Sequence, residues 1–304
     1  MDKKIGLATE TLQIVYKEKG AIDMVKKAGA DCADFYTGCY SIADPKSVYA
    51  GSDDDVVEFF SDLKQYANDR GVSFYQTHGR RRIYLDDPKS DKICLENARR
   101  DLLAAKTLGA KVCVMHGVTI STMGADTNPE VMHSLNRDSF LQILKWAKEY
   151  DVILASETFG FCSALNVPEL FAFFDEFKSA YEQIAAIDGN DKYFKVCIDT
   201  GHVNSVSKFE KHSAGDFIRE FGKNVVCLHM HDNDGFCDQH LPLYSGTVDW
   251  NDVFDALDSV GFDGVYNLEI DLNRYGKGFE PYAAEFVVKL LRFALNKRYS
   301  RTNG

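Results

Sequence analysis

Short apolar runs alternate with longer stretches of helical periodicity along the whole chain. Residues 4–8, 32–36, 72–77, 112–115, 152–155, 194–198, 225–228 and 265–268 are brief, nearly continuous apolar segments. That pattern suits strands buried on both faces, because a half-exposed strand would alternate with polar residues. Between them, residues 20–28, 53–69, 92–108, 133–150, 168–187, 214–221, 249–260 and 281–297 carry apolar residues at helical spacing. In 53–69, for example, Val56, Phe59, Phe60, Leu63 and Tyr66 share one face. Gly29, Gly109, Gly222 and Gly261 stand where those helices should end.

Each strand–helix unit runs roughly 30 residues, the length a parallel crossover needs. Eight such units in one chain predict an α/β fold of the TIM-barrel, (β/α)8 type, with its active site at the C-terminal ends of the strands. A dinucleotide-binding sheet would place a glycine-rich turn after the first strand, but Gly6 is followed by Leu7 and Ala8. No Pro- or Ser-rich linker divides the chain, so residues 1–304 are expected to form a single domain.

Polar residues gather where the apolar runs stop. The clearest case is 225–240, VVCLHMHDNDGFCDQH, an apolar strand that breaks into His and Asp. The same event recurs at His78, His116, Glu157, Asp199-Thr200-Gly201-His202 and Glu269. Each residue alone has an ordinary explanation: a hydrogen-bonded rim histidine, or turn chemistry at Asp199 and at Asp232-Asn233-Asp234-Gly235. Six successive strand ends carrying ionisable groups do not. In a barrel they converge on one bowl, and alternation puts Glu157 on the face of Ala155, His229 on that of Cys227 and Glu269 on that of Asn267. His133 and His212 fall at helix starts and are expected on the surface.

Composition narrows the partners. At 45% hydrophobic and 27% charged, the chain has ample core, and a net charge of −11 argues against a broad nucleic-acid surface. None of the eight Cys is in C-x-x-C spacing, which predicts reduced core thiols in a cytoplasmic protein. No apolar leader or run of about 18 apolar residues is present, so neither a signal peptide nor a membrane span is expected. A homodimer is the default expectation for assembly.

Glu157, Asp199, His229 and Glu269 supply three carboxylates and an imidazole. Oxygen-rich donors of this kind suit Mn²⁺, the first choice, with Mg²⁺, Co²⁺ or Zn²⁺ also possible. The order T-H-G at 77–79, M-H-G at 115–117, A-S-E-T at 155–158, C-I-D-T-G-H at 197–202, L-H-M-H-D at 228–232, D-x-H-L-P-L-x-x-G at 238–246 with D-W at 249–250, and N-L-E at 267–269 resembles the sugar phosphate isomerase/epimerase family. The resemblance implies a xylose isomerase-like TIM barrel, a fold shared with endonuclease IV. It implies that Glu157, Asp199, His229 and Glu269 bind the catalytic metal and that His202 contacts substrate. Ser163 and Gly235 stand where ketose 3-epimerases carry Glu and Arg, and S-E-T replaces L-E-N, which argues against a free-ketohexose 3-epimerase.

The expected function is a metal-dependent isomerase or epimerase of a sugar or sugar derivative, with Glu157 and Glu269 moving the proton through an enediolate. His78, His116, His202, His231, Asp238 and His240 are the expected substrate contacts. Arg80, first of three arginines after His78, is a candidate clamp for a phosphate or carboxylate on the substrate. The rivals are a multi-zinc phosphodiesterase on abasic DNA, a lyase or deglycosidase on the same scaffold, and a non-catalytic binding protein.

Overall fold

The structure, a computed structural model, describes residues 3–83, 85–119, 128–162, 167–187 and 189–300. Eight parallel strands form the barrel wall: β1 Ile5–Ala8, β2 Cys32–Tyr36, β3 Ser73–His78, β4 Val112–Met115, β5 Ile153–Glu157, β6 Phe194–Asp199, β7 Val225–His229 and β8 Tyr266–Leu268. Their order in the sheet is β7-β6-β5-β4-β3-β2-β1-β8, each hydrogen-bonded to the next. The wall closes between β7 and β8 through a parallel bridge of Met230 with Leu268, where Met230 N donates to Asn267 O (2.8 Å) and Glu269 N to Met230 O (3.2 Å).

The main crossover helices are α1 Glu10–Ala28, α2 Asp53–Asn68, α3 Pro88–Leu108, α4 Pro129–Tyr150 and α5 Phe174–Ala185. A short α6, Thr200–Ser205, precedes α7 Ala214–Phe221, α8 Trp250–Ser259 and α9 Glu280–Ser300. Local chemistry fixes their ends. Ser52 and Asp55 form a reciprocal capping box at the start of α2, and Ser213 with Asp216 repeats it at α7. Val56, Phe60, Leu63 and Ala67 then turn one face of α2 into the core, where Phe60 meets Phe35 of β2 edge-on at 6.1 Å. Burying each such phenyl is worth about 1.5–3 kcal/mol, which helps tie the helix layer to the barrel. Inside the barrel a second, smaller cluster of Val112, Val114, Ala155, Cys197 and Cys227 floors the bowl.

Several boundaries differ from the sequence expectation. Helix α1 begins ten residues earlier than 20; its first half exposes Ile14 and Val15, and Lys17 at φ 60° interrupts it, so no clean apolar stripe marks it. Helix α5 is shorter than 168–187, because Val167–Pro168 pairs antiparallel with Phe161–Cys162 and Leu170–Ala172 is a 3-10 turn. The eight cysteines are free; Cys32, Cys113, Cys197 and Cys227 are core thiols as expected, whereas Cys39 and Cys237 are exposed. No helix of the described residues is long and apolar enough to cross a membrane.

Candidate metal centre

Strand parity builds the site. Above the Val, Ala and Cys floor, the next inward residues are Glu157, Asp199 and His229, each the last residue of its strand and each fully buried. Glu269 follows β8 directly. One ligand atom from each of these four lies within 4.8 Å of the others. His229 Nδ1 is hydrogen-bonded to Glu157 Oε1 at 2.7 Å and lies 2.8 Å from Glu269 Oε2.

Around this centre stands a ring of imidazoles. His116 Nε2 is 2.9 Å from Glu157 Oε2. His78 lies between the two glutamates, Nε2 at 3.7 Å from Glu157 and Nδ1 at 3.6 Å from Glu269, and its ring stacks on His229 at 4.7 Å. His202 Nδ1 is 2.8 Å from the Thr158 carbonyl, leaving Nε2 toward Asp238 at 3.4 Å. His240 Nδ1 meets the Glu269 carbonyl at 3.0 Å and its Nε2 is 3.1 Å from Asp238.

The charges hold one another. Burial works against ionised Glu157, but His116 and His229 outweigh it and hold the carboxyl well below the usual range. Glu269 is likewise lowered against its burial, by His229 and His78. Burial opposes a charged His240, yet the Asp238 hydrogen bond and charge push it up to about 10. His202 is raised well above its ordinary value against the same opposition, by Asp199 and Asp238.

A sequence model described as the xylose isomerase-like TIM barrel matches residues 22–286. The chain belongs to that family. Among curated relatives, it is 25% identical over 183 residues to the uncharacterised protein MJ1311 of Methanocaldococcus jannaschii; that match spans 59% of this chain and 57% of the relative, little more than half its length. D-psicose 3-epimerase from Clostridium cellulolyticum superposes with a TM-score of 0.70 at 16% identity, covering 95% of this chain and 98% of the other. The IOLI protein, solved with a binding zinc atom, gives 0.68 at 17% identity, covering 98% of each chain.

This xylose isomerase-like barrel brings nine expected residues into the bowl: His78, His116, Glu157, Asp199, His202, His229, Asp238, His240 and Glu269. Two others it places differently. His231 is fully buried, its Nε2 on Asp199 (2.9 and 3.0 Å), so it does not face a substrate. Arg80 turns away from the bowl: its guanidinium grips Asp101 of α3 at 2.6 and 2.8 Å and donates to the Tyr40 carbonyl. Arg81 pairs with Glu169 and Arg82 with Asp91, so the arginine run is three structural ion pairs rather than one clamp. Ser163 lies outside the described residues. The Asp232–Gly235 turn stands as expected, with Asp232 accepting from Trp250 Nε1 and Gly235 at φ 82°. His133 and His212 lie outside the bowl, each half-buried against a glutamate.

Three bowl residues were missed. Asp34, midway along β2, is buried under His229, its Oδ2 3.1 Å from His229 Nε2 and bonded by Gln76 and Asn267. Tyr36, at the end of β2, meets His78 edge-on at 5.7 Å, and burial pushes its phenol up. Glu10 sits partly exposed on the rim after β1; the loss of water on its inward side raises its carboxyl, which His78 pulls down and Glu269 pushes up. A charged residue inside an apolar strand run was the available signal for Asp34.

Proposed function

We propose that this chain is a divalent-metal-dependent isomerase or epimerase of a sugar or sugar derivative. The observation that carries the reading is the convergence of Glu157, Asp199, His229 and Glu269 on one point at the barrel mouth. The donor set fits a cation. Glu157 Oε2 and Glu269 Oε2 are buried and close to imidazole nitrogens, yet neither is aligned with an N–H donor. Buried carboxylate oxygens left in that state call for a positive occupant. Three carboxylates around a dication leave about −1, compatible with neutral hydroxyl and carbonyl oxygens of a sugar. The epimerase and the zinc-binding protein that share the fold support the same class.

A bound dication would supply positive charge opposite a substrate carbonyl and its neighbouring hydroxyl. One glutamate takes the proton from the carbon next to the carbonyl. The C–H electron pair enters a new C=C bond, the carbonyl oxygen takes the charge, and an enediolate results. Return of the proton to the former carbonyl carbon, with the neighbouring hydroxyl's proton passing to the former carbonyl oxygen so that the hydroxyl becomes the new carbonyl, isomerises the sugar; return to the opposite face of the original carbon, from the other glutamate, epimerises it. His78 lies between the two glutamates, with one nitrogen toward each at 3.6–3.7 Å, beyond direct hydrogen bonding. His116, His202, Asp238 and His240 line the bowl as hydrogen-bonding groups for substrate hydroxyls. Incubation with a true substrate in D₂O should introduce deuterium at the carbon next to its carbonyl. Glu157→Gln and Glu269→Gln should each suppress that exchange by about 10²–10⁴-fold. Undiminished exchange in both variants refutes the assignment.

A second reading has its own observation. His78, His116 and Glu157 form a further group of ligand atoms at metal spacing, and His202, Asp238 and His240 another. Flanking the four-residue centre, they could hold three ions, as a multi-zinc phosphodiesterase requires. The −11 net charge disfavours a DNA substrate. Elemental analysis decides between them: one ion per chain favours the isomerase, whereas three zinc ions with cleavage of abasic DNA would replace it.

A further inference from the structure

The geometry points to His231 as a positioning residue that aims the Asp199 carboxylate at the metal by donating from Nε2. This inference rests on the four-residue metal reading above and names a residue outside that set.

His231 is fully buried one step beyond β7, so no substrate reaches it. Its Nε2 lies 2.9 Å from Asp199 Oδ1 and 3.0 Å from Oδ2. Asp199 Oδ1 also accepts from His202 N at 2.6 Å, because Asp199 caps helix α6. Two N–H donors on different elements therefore fix the carboxylate's rotation and leave its free lone pairs toward His229, whose Nδ1 is 4.0 Å from Oδ2. His231 Nδ1 is buried without a partner. An ionised carboxylate can only accept, so the 2.9 and 3.0 Å approach of Nε2 to Asp199 requires a proton on that nitrogen.

The surroundings are shaped to hold the ring still. A Cβ on Gly201 would stand 1.9 Å from His231 Cε1, so only glycine lets the imidazole lie against α6. The opposite face stacks on His240 at 3.9 Å and 12°. Thr200 Oγ1 donates to His231 O (2.8 Å) and accepts from its N (3.1 Å), pinning the backbone. Partners that orient a metal ligand in this way typically change metal affinity by 10–100-fold.

The test measures Mn²⁺ and Zn²⁺ affinity of the resting protein by chelator competition, without substrate. His231→Phe keeps the ring's volume and its stack on His240 but removes the donor; affinity should fall 10–100-fold. His231→Gln restores an N–H at similar reach and should recover most of it. In zinc-loaded wild type, long-range ¹H–¹⁵N correlation should show His231 protonated at Nε2. Wild-type affinity in His231→Phe overturns the proposal, as does an Nε2 that carries no proton. Equal losses in the Phe and Gln variants, with matching losses of metal-free stability, would also overturn it, because they mark a merely structural role. If the wild type itself binds no metal, the four-residue reading falls with this one; if it binds and His231→Phe does not weaken it, this inference falls alone.

Discussion

Replacing Arg80 by methionine separates an architectural arginine from a substrate clamp. The guanidinium is only 10% exposed and Asp101 not at all. Two parallel hydrogen bonds join them, and Tyr49 adds its hydroxyl to Asp101 at 2.9 Å. Removing one partner of a buried pair leaves the other charge without compensation, at about 3–5 kcal/mol. Tyr49 still serves Asp101, so the lower end, about 3 kcal/mol, is expected here. Removing both charges with Arg80→Met and Asp101→Leu leaves the Tyr49 hydroxyl without its acceptor, about 1–3 kcal/mol, while the Tyr40 carbonyl loses its Arg80 donor in the single and double variants alike. The double variant should therefore be no less stable than the single one. Urea unfolding followed by circular dichroism measures both, and Michaelis constants for a phosphorylated and a neutral sugar complete the comparison. Wild-type stability in Arg80→Met, with selective loss of affinity for the anionic sugar, would refute the reasoning and reinstate the clamp.

Gly201→Ala should destabilise the protein by about 2 kcal/mol net, because an approach this close to His231 puts overpacking at about 3 kcal/mol against the ~1 kcal/mol that alanine gains in a helix; an unchanged urea midpoint would show that the ring moves freely. The metal-free protein should lose stability as pH rises from about 6.5 toward 10. His240 is raised to about 10 when folded, so its contribution is full below the ordinary imidazole value and fades through the folded one. Glu157, Glu269 and Asp238 are lowered, so their contributions persist above the usual carboxylate range and fade only in stronger acid. Chelated protein unfolded in urea at pH 5.5, 7.5 and 9.5 tests the sign; rising stability across that series contradicts it. Asp34→Asn keeps the shape of the support under His229 while removing its charge, and should lower Zn²⁺ affinity about tenfold in chelator competition.

Barrel architecture and the gathering of ionisable residues at the strand ends were legible from strand periodicity, whereas the choice of Glu157, Asp199, His229 and Glu269 among them came from the family resemblance. Glu157 and His229 inherit their direction from Ala155 and Cys227 two residues earlier, and parallel strands share one open end. What periodicity could not carry is side-chain destination. Arg80 lies one loop from His78, yet a buried aspartate on α3 captures it, and nothing in an arginine run announces that partner. Asp34 escaped because polar groups were sought at strand ends, whereas it lies mid-strand beneath the bowl. The start of α1 escaped because it turns Ile14 and Val15 toward water, so its apolar residues form no single stripe to read.

The barrel's closing joint has a consequence of its own. The first and last strands of the sheet order meet at Met230 and Leu268, and His229 and Glu269 flank that bridge on either side. An ion shared by those two residues would act as a rivet across the joint, fastening the ring where its ends meet. Loading the ion would then slow the opening of the whole cylinder, and backbone amides of Met230 and Glu269 should gain hydrogen-exchange protection together.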